Sequence, residues 1–128
     1  MSVELVRTGT VLVTGGAGFI GSALIRRLLA DTEYRVVNID ALTYAGHLAT
    51  VADVSQNPRY QFAELNITDA SRVNHVFTQH RPIALVHLAA ASHVDRSIDG
   101  PEAFINSNVI GTYTLLEAAR RYVSDCHL

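Results

Sequence analysis

The length and composition of the chain limit it to one folded domain. It has 128 residues, of which 48% are hydrophobic and 17% charged, a balance typical of a globular α/β domain and not of a disordered segment. The net charge of −2 leaves no basic surface to displace counterions, so we expect no nucleic-acid partner. No apolar run approaches the roughly 20 residues that a membrane-spanning helix needs, so we expect no membrane association.

The first residues and the single cysteine bear on the cellular compartment. Residues 1–9 contain Glu4 and Arg7 but no basic segment followed by an apolar one, so we expect no signal peptide. Cys126 is the one cysteine of the chain and cannot form an internal disulfide. We therefore expect a reducing, cytoplasmic location.

Apolar runs of strand length alternate with segments of helical periodicity, an order that predicts βαβ units and a parallel sheet. The sequence predicts four strands, at Thr10–Thr14, Arg35–Ile39, Tyr60–Leu65 and Ala84–Leu88. We expect an α/β fold, a Rossmann-type parallel sheet with helices on both faces. Because the complete fold has about six strands in the order 3-2-1-4-5-6, we expect the sheet to be truncated after about four.

Helical segments follow the predicted strands. From Phe19 to Ala30, apolar residues at helical spacing face away from Arg26 and Arg27; they are Ile20, Leu24, Leu28 and Leu29. A short helix is expected around residues 48–54. Thr68 or Asp69 can cap a helix whose inner face is Val73, Val76 and Phe77. Pro101 is expected to open a long helix to about Val123, with core contacts from Phe104, Leu115, Leu116 and Ala119.

The strongest motif is the glycine-rich segment Thr14–Gly21, which lies between a predicted strand and an amphipathic helix. Its glycines fit G-x-G-x-x-G at 16, 18 and 21 and G-x-x-G-x-x-G at 15, 18 and 21. Such glycines form a tight turn, let the backbone approach a pyrophosphate and let helix and strand pack closely. The helix N-terminus then presents free N–H groups to phosphates. A simple glycine turn without a ligand is the alternative.

Asp40 ends the second predicted strand, 19 positions after Gly21. This is close to the spacing of about 20 expected for the acid that accepts hydrogen bonds from the adenosine ribose. A carboxylate there repels a 2′-phosphate, and Ala41 follows where an arginine would receive one. Asp40 therefore predicts NAD rather than NADP, although a strand-end Asx turn would also place an aspartate here.

The loop after the fourth predicted strand begins with small residues that would let a flat cofactor lie against the backbone, Ala89, Ala90, Ala91 and Ser92. Ligands of open α/β sheets bind at this edge. A triad of Ser92, His93 and Asp95 is disfavoured because neighbours in sequence rarely converge on one proton path. His87 and His93 lack a cluster with metal-ligand spacing, so we expect no metal. We expect His87 to be packed rather than catalytic.

Taken together, four segments resemble a known family. Residues 14–21 resemble the fingerprint of the extended short-chain dehydrogenase/reductases. The segments 40–46, 92–101 and 108–119 resemble the dTDP-glucose 4,6-dehydratases within that superfamily. The similarity runs from about Val11 to Tyr122, essentially the whole chain.

The resemblance implies a set of contacts to NAD. They fall on Gly15, Gly18, Phe19, Ile20, Gly21, Asp40, Ala41, Leu42, Thr43, Asn66, Ile67, Leu88, Ala89, Ala90, Ala91, Ser92 and Ser107, and Ser92 would also meet the sugar nucleotide. Two positions depart from the family pattern. Asn66 stands where the family usually has Asp, but its amide oxygen can also accept a hydrogen bond from adenine. Ala91 stands where the family usually has Glu.

The resemblance also implies an activity. Such enzymes oxidise the sugar C4 hydroxyl with NAD, eliminate water across C5–C6 and return the hydride to C6. The Tyr-x-x-x-Lys pair of the family is absent from residues 1–128, since the sequence contains no lysine. We therefore expect an NAD-binding part of a dTDP-glucose 4,6-dehydratase, a homodimer when complete, and no turnover by this chain alone. A UDP-sugar epimerase or decarboxylase and a non-catalytic nucleotide-binding module are the alternatives.

Overall fold

The computed structural model describes residues 8–41, 48–89 and 101–126, apart from the side chains of Leu48, Ala103, Phe104 and Ser107. Four parallel strands form one sheet: β1 (Thr10–Thr14), β2 (Arg35–Asp40), β3 (Tyr60–Glu64) and β4 (Ala84–His87). Their order is β3-β2-β1-β4. This is the 3-2-1-4 part of the Rossmann order, so the predicted fold class is confirmed.

The strands are joined by helices that cover both faces of the sheet. Within the described residues the helices are α1 (Phe19–Asp31), α2 (Ala70–His80), α3 (Pro101–Ile105) and α4 (Gly111–Asp125), with a 3₁₀ turn at Leu48–Val51. Alternate residues of β1 point to opposite faces, as the pleat requires. Leu12 joins α2 and α4 in one buried cluster, and Val11 and Val13 join α1 in the other. Both faces are therefore buried, which explains the nearly continuous apolar strands.

Helix α1 buries a different stripe from the predicted one. Ile25 is fully buried and Leu29 nearly so, whereas Leu24 and Leu28 pack at the margin of the core. Ile20 is 68% exposed, so the expectation that it faces the core was wrong. It lies in the first turn of the helix, beyond the edge of the sheet. Helix α2 follows the prediction: Asp69 caps it, and Val73, Val76 and Phe77 are buried.

The long C-terminal helix is not a continuous α-helix. A π-helical segment at Asn106–Ile110 separates α3 from α4. Leu115 is buried against α2, but Leu116 is 64% exposed, so the predicted core contact of Leu116 was wrong. The buried partner on this face is Ala118, with Ala119 partly buried beside it. A π segment inserts one residue into a turn and rotates everything that follows, which a regular periodicity does not anticipate.

An apolar stripe runs along the outer face of this helical segment, at Ile105, Val109, Tyr113 and Leu116, each more than half exposed. Of the helices that the structure describes, none has the length and apolarity to cross a bilayer. Contiguous exposed apolar surface of this kind drives association.

We expect the chain to self-associate through this apolar stripe. The double variant Val109→Glu/Leu116→Glu should be a monomer in light scattering. Ala23→Glu, a charge on exposed α1, is the control; a wild-type monomer at high concentration would contradict the prediction.

Candidate functional site

The glycine-rich segment forms a tight turn between β1 and α1. Gly15 has a φ of +73°, a conformation that only glycine adopts readily. Its N–H donates to the Ile39 carbonyl over 2.8 Å, and its own carbonyl accepts from Gly18 N–H over 3.1 Å. A Cβ at Gly15 would lie 2.7 Å from the backbone nitrogen of Ala89. The turn is therefore pressed against the chain that follows β4.

Two further glycines are required by close packing. A Cβ at Gly16 would collide with the Asn38 side-chain amide, and one at Gly21 would lie 2.8 Å from backbone atoms of Gly15 and Gly16. These are far inside van der Waals separation. Each of the two glycine patterns in the sequence therefore contains glycines that the fold requires. Glycines 15 and 16 allow the turn, and glycine 21 allows α1 to approach the turn closely.

Asn38, in the middle of β2, was not identified from the sequence. It is completely buried, and its amide oxygen accepts from Gly16 N–H over 2.9 Å. Its amide nitrogen donates to the Tyr60 hydroxyl over 3.1 Å. The polar groups of a buried amide are normally hydrogen-bonded. Through these bonds Asn38 holds the backbone of the glycine turn in position against β2. The feature that could have identified Asn38 in the sequence is its position as the single amide within the otherwise apolar run Val36–Ile39.

The N-terminus of α1 opens at this turn without a side-chain cap. Gly18 is the N-cap and provides no side-chain hydrogen bond, and none of the described side chains bonds to the free N–H groups of the first turn. Phe19 and Ile20 are 91% and 68% exposed there. Uncapped N–H groups and the positive end of the helix dipole form an anion-binding position. The turn can therefore hold a phosphate group of a dinucleotide.

Asp40 lies at the carboxyl end of β2, beside the same turn. One carboxylate oxygen accepts from Ala17 N–H over 3.0 Å, and the side chain is half-buried. Burial raises the pKa of Tyr60, the bond from Asn38 opposes this, and the negative charge of Asp40 raises it further. Asp40 therefore contacts the glycine turn directly. Ala41 follows, exposed.

The chain after β4 is held to the turn by Thr14. The Thr14 hydroxyl oxygen accepts from Leu88 N–H over 2.9 Å and from Ala89 N–H over 3.1 Å. The same oxygen lies 2.6 Å from Nδ1 of His87, and Nε2 of that ring lies 2.8 Å from the Thr112 hydroxyl. Burial lowers the pKa of His87. His87 is packed, as expected, but it also links three elements.

Asn66 and Ile67 follow β3 on the same edge of the sheet. The exposed amide of Asn66 accepts from both the N–H and the hydroxyl of Thr68, over 3.0 and 2.9 Å. Both lone pairs of its oxygen are therefore engaged, and an adenine contact requires one bond to be exchanged. Ile67 is 6% exposed and belongs to the core with Leu115.

Gly111, the first residue of α4, controls the position of Ile67. A Cβ on this glycine would lie 2.5 Å from Cδ1 and 2.6 Å from Cγ1 of Ile67. We expect Gly111→Ala to destabilise the chain by about 1–3 kcal/mol through overpacking, measured by urea unfolding. Ile67→Ala in the same chain should recover part of that loss. Additive effects of the two substitutions would contradict this contact.

Several predicted contact residues lie outside the described residues: Leu42, Thr43, Ala90, Ala91 and Ser92, together with the side chain of Ser107. Among those the structure does describe, the fold brings Gly15, Gly18, Gly21, Asp40 and Ala89 to one edge of the sheet. This edge lies at the carboxyl ends of β1, β2 and β4, where open α/β sheets bind ligands.

The chain is similar to known proteins over most of its length. The chain is 59% identical over 114 residues to a dTDP-glucose 4,6-dehydratase of Shigella flexneri, covering 89% of this chain and 32% of that protein. Among solved structures, a dTDP-glucose 4,6-dehydratase of Streptomyces venezuelae with NAD and TYD bound is 47% identical, with a TM-score of 0.80 and coverage of 86% and 35%. A UDP-glucose 4-epimerase of Thermotoga maritima with UDP-glucose is 35% identical, with a TM-score of 0.79 and coverage of 88% and 34%.

The chain spans about a third of the length of the curated relatives it matches. A family model described as GDP-mannose 4,6 dehydratase matches residues 12–127, which include the glycine turn, Asp40 and the Thr14–His87–Thr112 contacts. The chain belongs to this GDP-mannose 4,6 dehydratase family.

Proposed function

We propose that the chain is the cofactor-binding part of an NAD-dependent sugar-nucleotide 4,6-dehydratase that converts dTDP-glucose to dTDP-4-keto-6-deoxyglucose. The observation that carries this proposal is the Asp40 carboxylate, bonded to Ala17 N–H beside the uncapped N-terminus of α1. A ribose acceptor and a pyrophosphate position thus stand side by side. Solved dTDP-glucose 4,6-dehydratases carry NAD in their structures.

Different residues at the turn would contact different parts of a bound dinucleotide. The first-turn N–H groups of α1 would face the pyrophosphate, and Gly15, Gly16 and Gly21 keep side chains out of its approach. Asp40 would accept from the ribose hydroxyls. Bound NAD supplies a hydride acceptor for the oxidation of the sugar. The described residues thus fit the cofactor, because the glycine turn leaves a space that the Cβ of any other residue would fill.

The substrate assignment rests on curated relatives named dTDP-glucose 4,6-dehydratase at 54–59% identity. Ser92 would contact the sugar nucleotide, by the resemblance of residues 92–101. We further propose a homodimer for the complete protein, with the apolar stripe of α3 and α4 available for contact, and a cytoplasmic location. A UDP-sugar 4-epimerase is the second candidate, because an epimerase shares this part of the fold at 35% identity.

Calorimetric titration of the chain with NAD, with NADP and with dTDP-glucose tests the proposal. Preference for NAD over NADP is the expected result. The protein containing this chain should then form the 4-keto-6-deoxy sugar from dTDP-glucose, whereas formation of the C4 epimer of a UDP-sugar would favour the epimerase. Failure to bind either dinucleotide would reject the cofactor site.

A further inference from the structure

A chain of hydrogen bonds connects β1, β4 and α4 behind the predicted dinucleotide site. It begins at Leu88 N–H and Ala89 N–H, which both donate to the Thr14 hydroxyl oxygen. It continues through His87 to the Thr112 hydroxyl, which donates to the Asn108 carbonyl over 2.8 Å. Asn108 lies in the π-helical segment. The bonds therefore link the strand ends to the irregular turn of the C-terminal helix.

The direction of each bond follows from counting donors and acceptors. A hydroxyl has one proton and two acceptor lone pairs, and both lone pairs of Thr14 receive backbone N–H groups. Its proton must therefore be donated to Nδ1 of His87 across the 2.6 Å contact. Nδ1 is then unprotonated, and the ring carries its proton on Nε2. Nε2–H donates to Thr112, whose own proton goes to Asn108, so the assignment is consistent along the whole chain.

We infer that His87 is a positioning residue of the dinucleotide site, a neutral ring protonated at Nε2 that holds residues 88–89 against the glycine turn. The inference rests on the proposed function. Leu88 and Ala89 are predicted cofactor contacts, and Ala89 N lies against Gly15. A displacement of Leu88 and Ala89 would therefore disturb both their own cofactor contacts and the glycine turn. His87 does not touch the cofactor; it acts through Thr14.

A second proton on His87 would disrupt this arrangement. Nδ1–H would have to donate to the Thr14 hydroxyl oxygen, whose lone pairs already accept from Leu88 N–H and Ala89 N–H. Leu88 N–H also donates to the Thr14 carbonyl over 3.1 Å, so the loss would fall on the bond from Ala89 N–H. The groups facing the ring are the Thr14 hydroxyl from β1 and the Thr112 hydroxyl from α4, both neutral. Among the described residues, burial is the one cause that lowers the pKa of His87.

The sign of the pH effect follows from this lowered pKa. Between the folded pKa and the ordinary value of about 6.5, the unfolded chain binds more protons than the folded chain. Stability contributed by His87 is therefore complete above about pH 6.5 and falls as the pH drops toward the folded pKa. NAD affinity of the folded chain should fall only as the pH approaches the folded pKa of His87, because the protonated ring no longer holds the loop.

Two substitutions separate positioning from bulk packing. His87→Asn retains a neutral oxygen near the position of Nδ1 to accept from Thr14, whereas His87→Leu retains only volume. At pH 7.5 we expect His87→Leu to bind NAD roughly 3- to 30-fold more weakly, the range for one or two lost hydrogen bonds, and His87→Asn to remain close to wild type. As the pH is lowered from 7.5 through the folded pKa of His87, wild-type affinity should fall roughly threefold or more relative to His87→Asn.

His80→Gln is the control, because His80 is another half-buried histidine with a lowered pKa, at the end of α2. It should leave the pH profile of NAD binding unchanged. Nitrogen-15 NMR of the full 128-residue chain without NAD should show the Nε2–H form of His87 at neutral pH. If His87→Leu does not fold, the profile of His87→Asn and the NMR assignment still decide the question.

The outcomes distinguish this inference from the proposed function. A protonated Nδ1 in the neutral ring, or equal pH profiles for wild type and His87→Asn, would overturn the inference while NAD binding itself stands. Absence of NAD binding by the wild-type chain at every pH would overturn the proposed function and the positioning role together, even where the Nε2–H form is observed.

Discussion

Asp40→Ala is expected to weaken NAD binding by roughly 10- to 150-fold, the equivalent of about 1.5–3 kcal/mol for a hydrogen bond to a charged group. The carboxylate stands at the carboxyl end of β2 with one oxygen on Ala17 N–H. The same charge should repel the 2′-phosphate of NADP. Removing the Asp40 carboxylate should therefore improve NADP binding while NAD binding falls. Both changes lower the ratio of NAD affinity to NADP affinity. Calorimetry with each dinucleotide measures both effects.

A second substitution separates the charge of Asp40 from its contact with the turn. Asp40→Asn keeps an oxygen that can accept from Ala17 N–H but removes the negative charge. It should retain the stability of wild type, lose part of the NAD affinity and gain NADP affinity. Asp31→Asn, at an exposed position paired with Arg27, serves as the control and should change neither affinity. Full NAD affinity and selectivity in Asp40→Ala would refute the assignment.

Gly21→Ala is expected to destabilise the chain by about 1–3 kcal/mol and to abolish measurable dinucleotide binding. Inside an ordinary helix the same change is favourable by about 1 kcal/mol, because alanine is the better helix former. Here the new Cβ would lie 2.8 Å from Gly15 C and Gly16 Cα. These are backbone atoms of the turn itself, so relief requires α1 to move away from the phosphate position.

The sign of the change in stability is the decisive measurement for Gly21. Urea unfolding of Gly21→Ala should give a lower free energy of unfolding than wild type. Ala23→Gly, an exposed position two residues further along α1, reports the ordinary helix preference and should cost about 0.5–1 kcal/mol. A Gly21→Ala chain more stable than wild type would show that the helix does not depend on close approach to the turn.

The sequence by itself determined the fold class, and its local motifs marked the candidate site. Strand positions, the cap at Asp69 and the core face of α2 depend on local patterns of polarity and capping, which the chain carries in its own order. The glycines and Asp40 were likewise recognisable, because a turn with positive φ and a strand-end carboxylate have local signatures. The right-handed crossovers of βαβ units restrict the possible strand orders.

The tertiary structure decided which residues support the site. Asn38 meets Gly16 across 22 positions and His87 meets Thr14 across 73, and no local pattern records such partners. In α4, which follows the π segment, Leu115 and Ala118 are buried while Leu116 faces outward. Satisfying a buried polar atom depends on which distant chain segments the sheet brings together. That is why the glycine turn and Asp40 could be recognised in the sequence, and the hydrogen bonds that hold them in place could not.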